Sequence, residues 1–430
     1  MKSHKSNNLH SPRSPLNQRQ GSWVQVRLRP GKEKLPRNGH PWIFSGAIEP
    51  ESLHVLNDPS LLVKVTDWKG TFIGWGWVNP KSQIRIRLVS WTQPESVDPT
   101  RETEKLLTEH FLQAFKLRRE LGYLDNPQSG CRLVFSESDG LPGIILDKMG
   151  SWLVLQLETE SADTQRPLML KVLTQMVQLS EHDPNWMGSI KGIVEKSDGD
   201  GRLVEGLKPI HQVLWGDAPP AELVLEHHNL KIYMNPLGQK SGFYWDQQEN
   251  RKIVGSLARG KRVLDVCSYS GGFALEALAA GAKQVVLVDS SKEALDLSGQ
   301  NLQANGFTSW ELIQQDCFQF LRSLEPGSQE MIIFDPPKLA VSRKVKDRAM
   351  AAYKDANLHA IKALAPGGIL ATFSCSGLVT QEEFEQAVVF AAKDLGRQGR
   401  ILYRLNQSPC HPVLTTFPES RYLKGLVIQW

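Results

Sequence analysis

The stretch "VLDVCSYSGGFALEALAAGAKQVVLVD", from Val263 to Asp289, decides the fold class. It opens on an apolar run around Asp265, turns at Gly271 and Gly272, continues as an Ala- and Leu-rich helical pattern, and closes on a second apolar run ending at Asp289. Apolar strands without polar alternation are buried on both faces, as happens where helices cover both sides of a parallel sheet. The alternation persists downstream: "SWELIQQD", "EMIIFDPPK" and "GGILATFSC" read as strands separated by helices, and "RILYRL" and "KGLVIQW" supply the last two. Residues 223–430 are therefore expected to form a doubly wound, Rossmann-like α/β sheet.

An acid stands at successive strand ends: Asp265, Asp289, Asp316, and then Asp335 of "DPPK". Ligands of such sheets bind outside the carboxyl ends of the strands. A dinucleotide fingerprint would need G-x-G-x-x-G, which the adjacent Gly271 and Gly272 do not supply. The acids suit a different ligand: Asp265 can engage an ammonium, Asp289 the two hydroxyls of a ribose, and Asp316 an adenine amino group. Together these describe S-adenosylmethionine. Gly271 and Gly272 let the backbone approach it, and Ser268 and Cys317 belong to turns flanking the same site. A single strand-end Asp is usually a helix cap or turn former; several in succession describe a binding edge.

Outward from this region the pattern changes. Residues 21–95 carry short strands punctuated by Gly and Pro, including "LLVKVTD", "FIGWGWVNP" and "SQIRIRLVS", and read as a small β-barrel. Ile84, Ile86 and Leu88 share one strand face and Arg85 and Arg87 the other. The arginines are either a solvated outer face or phosphate contacts, and Trp42 and Phe44 of "GHPWIFSGAI" either stack on bases or pack. The first 40 residues hold nine Lys or Arg against one acid, Glu33. Residues 1–20 have little to bury and read as a disordered basic tail. Residues 100–220 begin with the charged helix "ETEKLLTEHFLQAFKLRREL" and form a central α+β linking domain with no catalytic constellation. Because the basic residues cluster in the barrel and the strand-end acids lie near the C-terminus, docking and chemistry are expected to be separable.

At 430 residues and 40% hydrophobic, the chain can bury several cores. The net charge of +4 is a mild bias. Five cysteines (Cys131, Cys267, Cys317, Cys375, Cys410) form no CxxC pair, so neither a metal site nor a disulfide scaffold is expected, and a reducing cytoplasm fits. No apolar run approaches the roughly 18 residues of a membrane span, and no membrane partner is expected.

The segments "GQKSGFYWDQQENR", "DVCSYSGGFAL", "DPPK", "FSCSG" and "HPVLTTFPESRYLKGL", with "GHPWIFSGAI" and "NPKSQIRIR" in the barrel and "ESDGLPG" in the middle, resemble the large-subunit ribosomal RNA cytosine-5 methyltransferase I family. The resemblance covers nearly the whole chain after the tail. It implies a PUA RNA-binding domain, a linking domain and a class I methyltransferase domain, S-adenosylmethionine as cofactor, and 5-methylcytosine in 23S rRNA as product. The substrate is then 23S rRNA or a large-subunit precursor, and a homodimer is among the assemblies allowed. By position, Gln239, Phe243 and Asp246 would line the methionine end of the cofactor, although the same stretch also reads as a turn with a buried aromatic cluster. Asp335 would sit at the target base. The sequence departs from the pattern at Pro337, where two-cysteine enzymes carry Cys, and at Leu339, where Phe is expected.

C5 of cytosine is too poor a nucleophile to take a methyl group unaided, so a thiolate must first add to C6. Cys375, ending strand five in "TFSCSG", is the candidate nucleophile, against the alternative of a packed core thiol. Lys338 is the candidate positive neighbour, and Asp335 the candidate to hold the cytosine edge and assist proton transfer. Amino-group methylation is the competing chemistry, but Lys338 stands where such enzymes carry a stacking aromatic. Ring-nitrogen methylation and a non-catalytic RNA-binding assembly factor remain open.

Overall fold

The structure, a computed structural model, describes residues 23–94, 96, 98–182, 186–238 and 242–430. The basic tail expected over residues 1–20 lies outside them. In the N-terminal unit β1 (Gln25–Arg27), α1 (Lys34–Arg37), β2 (Trp42–Phe44), α2 (Pro50–Leu53), β3 (Leu62–Thr66), β4 (Phe72–Val78) and β5 (Ile84–Ser90) follow one another. The sheet order is β1-β3-β4-β5-β2, around a core that includes Val26, Val63, Val65, Ile86 and Leu88.

The second unit starts with α3 (Pro99–Glu120), whose first turn is capped by Asp98 accepting from the Thr100 N–H. There follow β6 (Gly130–Phe135), β7 (Ile144–Met149), β8 (Trp152–Leu157), α4 (Glu160–Thr164), α5 (Arg166–His182), β9 (Gly192–Ser197), α6 (Asp200–Val204) and β10 (Ile210–Gly216). They make a five-stranded sheet in the order β10-β9-β8-β7-β6. A hairpin unforeseen in the sequence comes next, β11 (Leu223–His227) against β12 (Leu230–Met234). Its two-residue turn places His228 and Asn229 at φ 52° and 63°, as a type I′ hairpin turn requires.

The C-terminal unit alternates as expected: α7 (Gln248–Ser256), β13 (Arg262–Val266), α8 (Gly272–Ala279), β14 (Gln284–Asp289), α9 (Lys292–Ala304), β15 (Trp310–Gln314), α10 (Cys317–Ser323), β16 (Gln329–Phe334), α11 (Lys346–Ala363), β17 (Leu364–Ser374), α12 (Gln381–Asp394), β18 (Arg400–Asn406) and β19 (Lys424–Gln429). The sheet order is β15-β14-β13-β16-β17-β19-β18. Its first five strands are parallel, whereas β19 inserts antiparallel between β17 and β18. The chain leaves β13 toward β14 and β15 and returns to β16 on its other side. The switch point therefore lies between β13 and β16, which is where a ligand crevice opens.

The N-terminal and central units share one core. Trp75 and Trp77 of β4 are each 1% exposed and share one core with Phe111 and Phe115 of α3 and with the central sheet. Arg87 is no phosphate contact: it is 9% exposed and bonds Glu137 at 2.5 Å and Glu205 at 3.4 Å. Arg85 donates to the Pro80 carbonyl. Trp42 packs rather than stacks in the open, donating to Glu137 at 2.7 Å and meeting Phe417 at 4.7 Å between ring centroids. Phe44, 50% exposed, is the aromatic of that motif left at the surface. Among the described residues no helix is long and apolar enough to cross a membrane.

Candidate functional site

A cavity of about 1110 Å³ opens at the carboxyl ends of β13, β14, β16 and β17. It exceeds the roughly 300–1,000 Å³ of an ordinary small-molecule pocket, leaving room for a cofactor and a nucleobase side by side. Its floor is the turn after β13. There Cys267 and Tyr269 sit at φ 63° and 48° and Gly271 at 76°, so two non-glycine residues are held in left-handed backbone beside the crevice. Strain of this kind persists where surrounding structure enforces it, often at ligand sites.

Asp265 is 1% exposed and neither carboxylate oxygen has a hydrogen-bond partner. Burial, reinforced by Asp335, pushes its pKa up to about 7 against the opposing pull of the Ala274 N–H, which falls outside hydrogen-bond geometry, and of Arg251. The hydroxyls of Ser268 and Ser270 are likewise buried without partners. Unsatisfied buried polar groups on one turn imply a polar ligand that satisfies them. Asp265 and Gly271 are not among the residues lining the cavity and stand behind those that are, Ser268, Ser270 and Gly272. Asp289 lines it, with one oxygen accepting from the Tyr269 N–H at 3.0 Å and the other from the Ser291 N–H at 2.9 Å. Those bonds fix the carboxylate while each oxygen keeps a lone pair for a hydroxyl. Cys317 also lines the cavity.

Two assignments change in three dimensions. Asp316 is the N-cap of α10, accepting from the Gln319 N–H, and is exposed outside the cavity lining. Gly271 supplies the left-handed turn, and Gly272 makes room for a side chain: a Cβ there would lie 2.6 Å from Arg251 Nε. Arg251, which sequence reasoning missed, sets its guanidinium carbon over the Phe243 ring at 3.9 Å from the centroid, with Nε and one terminal nitrogen lacking partners. The signal was present in "DQQENR", where it reads as an ordinary helix cation.

At the other end of the cavity stand Asp246, Asp335 and Cys375. Asp246 follows Trp245, which packs so closely on β6 that a Cβ at Gly130 would lie 2.2 Å from its ring. The Tyr422 hydroxyl donates to one Asp246 oxygen at 2.5 Å, and the other oxygen is buried without a partner. Asp335 accepts from Gln247 Nε2 at 3.1 Å. Cys375 is half-buried, its thiol directed to the Pro336 carbonyl at 3.8 Å. Burial, with Asp335 and Asp246, pushes that thiol up to about 12. The cation opposing this is not Lys338, which is exposed at the cavity rim, but the buried Lys424 of β19. Gln239 falls outside the described residues.

The sheet order and the strand-end cavity are those of a class I methyltransferase domain, here joined to a barrel that matches the PUA-like domain model over residues 26–91. A model described as "Conserved hypothetical protein 95" matches residues 241–396. The chain is 41% identical over 409 residues to a protein named ribosomal RNA large subunit methyltransferase I from Pseudoalteromonas atlantica, covering 94% of this chain and 98% of that one. It is 37% identical over 408 residues to the Escherichia coli protein of the same name, with the same coverage. This chain belongs to the ribosomal RNA large subunit methyltransferase I family. In fold it is similar to a Streptococcus mutans protein described as a sam-dependent methyltransferase (TM-score 0.74, 19% identity, 94% and 100% of the two chains). A second solved neighbour, described as a methyltransferase complexed with SAH, aligns over the same shares at TM-score 0.75 and 19% identity.

Proposed function

We propose that this protein methylates C5 of a cytosine in 23S rRNA, using S-adenosylmethionine as donor and Cys375 as nucleophile. The observation that supports it is one cavity lined both by strand-end Asp289 and by Cys375 with Asp335. The relatives' name supports large-subunit rRNA as the substrate, and the PUA-like barrel supports an RNA-binding role for the N-terminal unit. The protein acts in the cytoplasm.

The donor set fits the cofactor. Asp265, with Ser268 and Ser270, would hold its ammonium end, Asp289 its ribose, and Phe243 with Arg251 an apolar and cationic wall. When bound, S-adenosylmethionine supplies an electrophilic methyl group. Cys375 does the rest of the covalent work: its Sγ adds to C6, and the C5=C6 electron pair moves to C5, which becomes nucleophilic. Once C5 carries the methyl group, its proton passes to a base, Asp335 or a water it orients, the C–H pair returns to C5=C6 and Cys375 leaves as thiolate. Asp335 holds the cytosine edge.

Two measurements test this. Nucleoside mass mapping of rRNA from cells with and without the gene should lose one 5-methylcytosine. With RNA carrying 5-fluorocytosine, whose fluorine cannot leave as a cation, wild type should be trapped as a protein–RNA adduct. Cys375→Ala should bind cofactor yet give neither adduct nor product. Full turnover by Cys375→Ala overturns the covalent mechanism in favour of ring-nitrogen or amino-group chemistry.

A further inference from the structure

Lys424 is a costly residue to place where it is. Its side chain is 1% exposed at the start of β19, and among the described residues no carboxylate forms an ion pair with it. A buried ammonium without a counter-ion is destabilising unless something compensates it. Of its three donors, one is bonded to the Ser376 carbonyl at 2.5 Å and one to the Tyr422 carbonyl at 2.8 Å. The first of these belongs to the residue directly after Cys375. Pairing of β19 with β17 sets Lys424 opposite Ser374, so the ammonium is fixed at the end of the strand that carries the thiol.

Resting on the reading of Cys375 as nucleophile, we infer that Lys424 is its charge partner, the group that allows a thiolate to exist in this cavity. The other charged or titratable neighbours work against ionisation: Asp335 after β16 and Asp246 before α7 oppose a negative sulfur, while the hydroxyls of Tyr244 and of Tyr353 on α11 are uncharged. Lys424 in turn faces Cys375 and Glu383 of α12. The pair is coupled and exchanges one proton. The Sγ–H proton passes to Nζ when the amine is neutral, or to solvent when it is already charged, and the S–H electron pair stays on sulfur. The resulting thiolate–ammonium pair is the form that adds to C6. Lys424 touches neither RNA nor cofactor in this scheme and is a positioning residue.

Alkylation of Cys375 by iodoacetamide, read by peptide mass spectrometry, reports the thiolate directly. While Lys424 is charged, below about pH 8, the logarithm of the rate rises by about one per pH unit, so the vertical offset between two proteins there gives the difference in thiol pKa. Burial lowers Lys424 to about 8, so loss of its charge should make Lys424→Met roughly 10- to 1000-fold slower between pH 6.5 and 7.5, where the ammonium is present, with the offset shrinking above pH 8. Lys424→Arg should recover most of the rate, and cofactor affinity should be unchanged in both. A folded Lys424→Met that alkylates at the wild-type rate overturns the inference. Should Lys424→Met not fold, the same linkage can be read from Lys424 itself: its 13Cε resonance should titrate lower in Cys375→Ala than in wild type, and identical titrations overturn the pairing. The two readings fail separately. Unchanged alkylation with Cys375→Ala inactive removes Lys424 alone, whereas turnover by Cys375→Ala removes the nucleophile whatever Lys424 does.

Discussion

Asp265→Asn should stabilise the empty protein while disabling it. The wild-type carboxyl is fully buried without a hydrogen-bond partner, and its pKa is raised from 3.8 to about 7. A raised acid means that the folded state binds more protons than the unfolded state between those values. Stability therefore falls as pH rises through that window. Each pKa unit is worth about 1.36 kcal/mol, so the ionised carboxylate costs the folded state about 4 kcal/mol above pH 7 and nothing below about pH 4. Asn reproduces the neutral acid in shape. Urea unfolding should therefore find the two proteins within about 1 kcal/mol at pH 4, and the variant more stable by about 2 kcal/mol at pH 5 and about 4 kcal/mol at pH 8.5. Calorimetry should find S-adenosylmethionine weakened by about 1.5–3 kcal/mol, the worth of hydrogen bonds to a charged group. Wild-type affinity should also fall as pH drops below 7, because an ammonium selects the carboxylate. Parallel stability curves for the two proteins from pH 5 to 8.5 would refute the reasoning, since the carboxyl would then ionise in the fold without cost.

Asp289→Ala should weaken S-adenosylmethionine by about 1.5–3 kcal/mol in calorimetry while the chain stays folded; unchanged affinity removes it from the site. Arg87→Ala leaves Glu137 and Glu205 buried without their cation, so thermal unfolding should show a loss of about 3–5 kcal/mol. RNA affinity should change no more than stability dictates. Deleting residues 1–95 exposes the α3 face that buries Trp75 and Trp77, and the truncated chain should aggregate or melt well below the full chain; a monomer with an unchanged melting temperature would show that this shared core is dispensable.

Much of the C-terminal half was legible in the residues because its rules are local. Apolar runs of strand length, Gly-Gly turns and capping residues act over a few positions, and a parallel sheet carries its ligand at its strand ends. Asp265, Asp289, Asp335 and Cys375 were accessible by that route. The β11–β12 hairpin was equally local, its alternation and its His228-Asn229 turn readable but unread.

What tertiary structure alone decided are the contacts between residues far apart in the chain. Period-two alternation put Arg87 on the face opposite Ile86, yet only the packing of the barrel on the central domain supplied Glu137 and Glu205 and turned a candidate phosphate ligand into a buried ion pair. Asp316 has the same local setting as the other strand-end acids, but its carboxylate caps α10 and stays exposed. Lys338 is four residues from Phe334 of β16 and reads as a neighbour of the site, whereas Lys424, 49 positions beyond Cys375, reaches it because β19 runs antiparallel beside β17. Sequence specifies which groups can ionise, bond or pack. Which of them are dehydrated together depends on strand order and domain packing, and dehydration sets the pKa of Asp265 and the charge partner of Cys375.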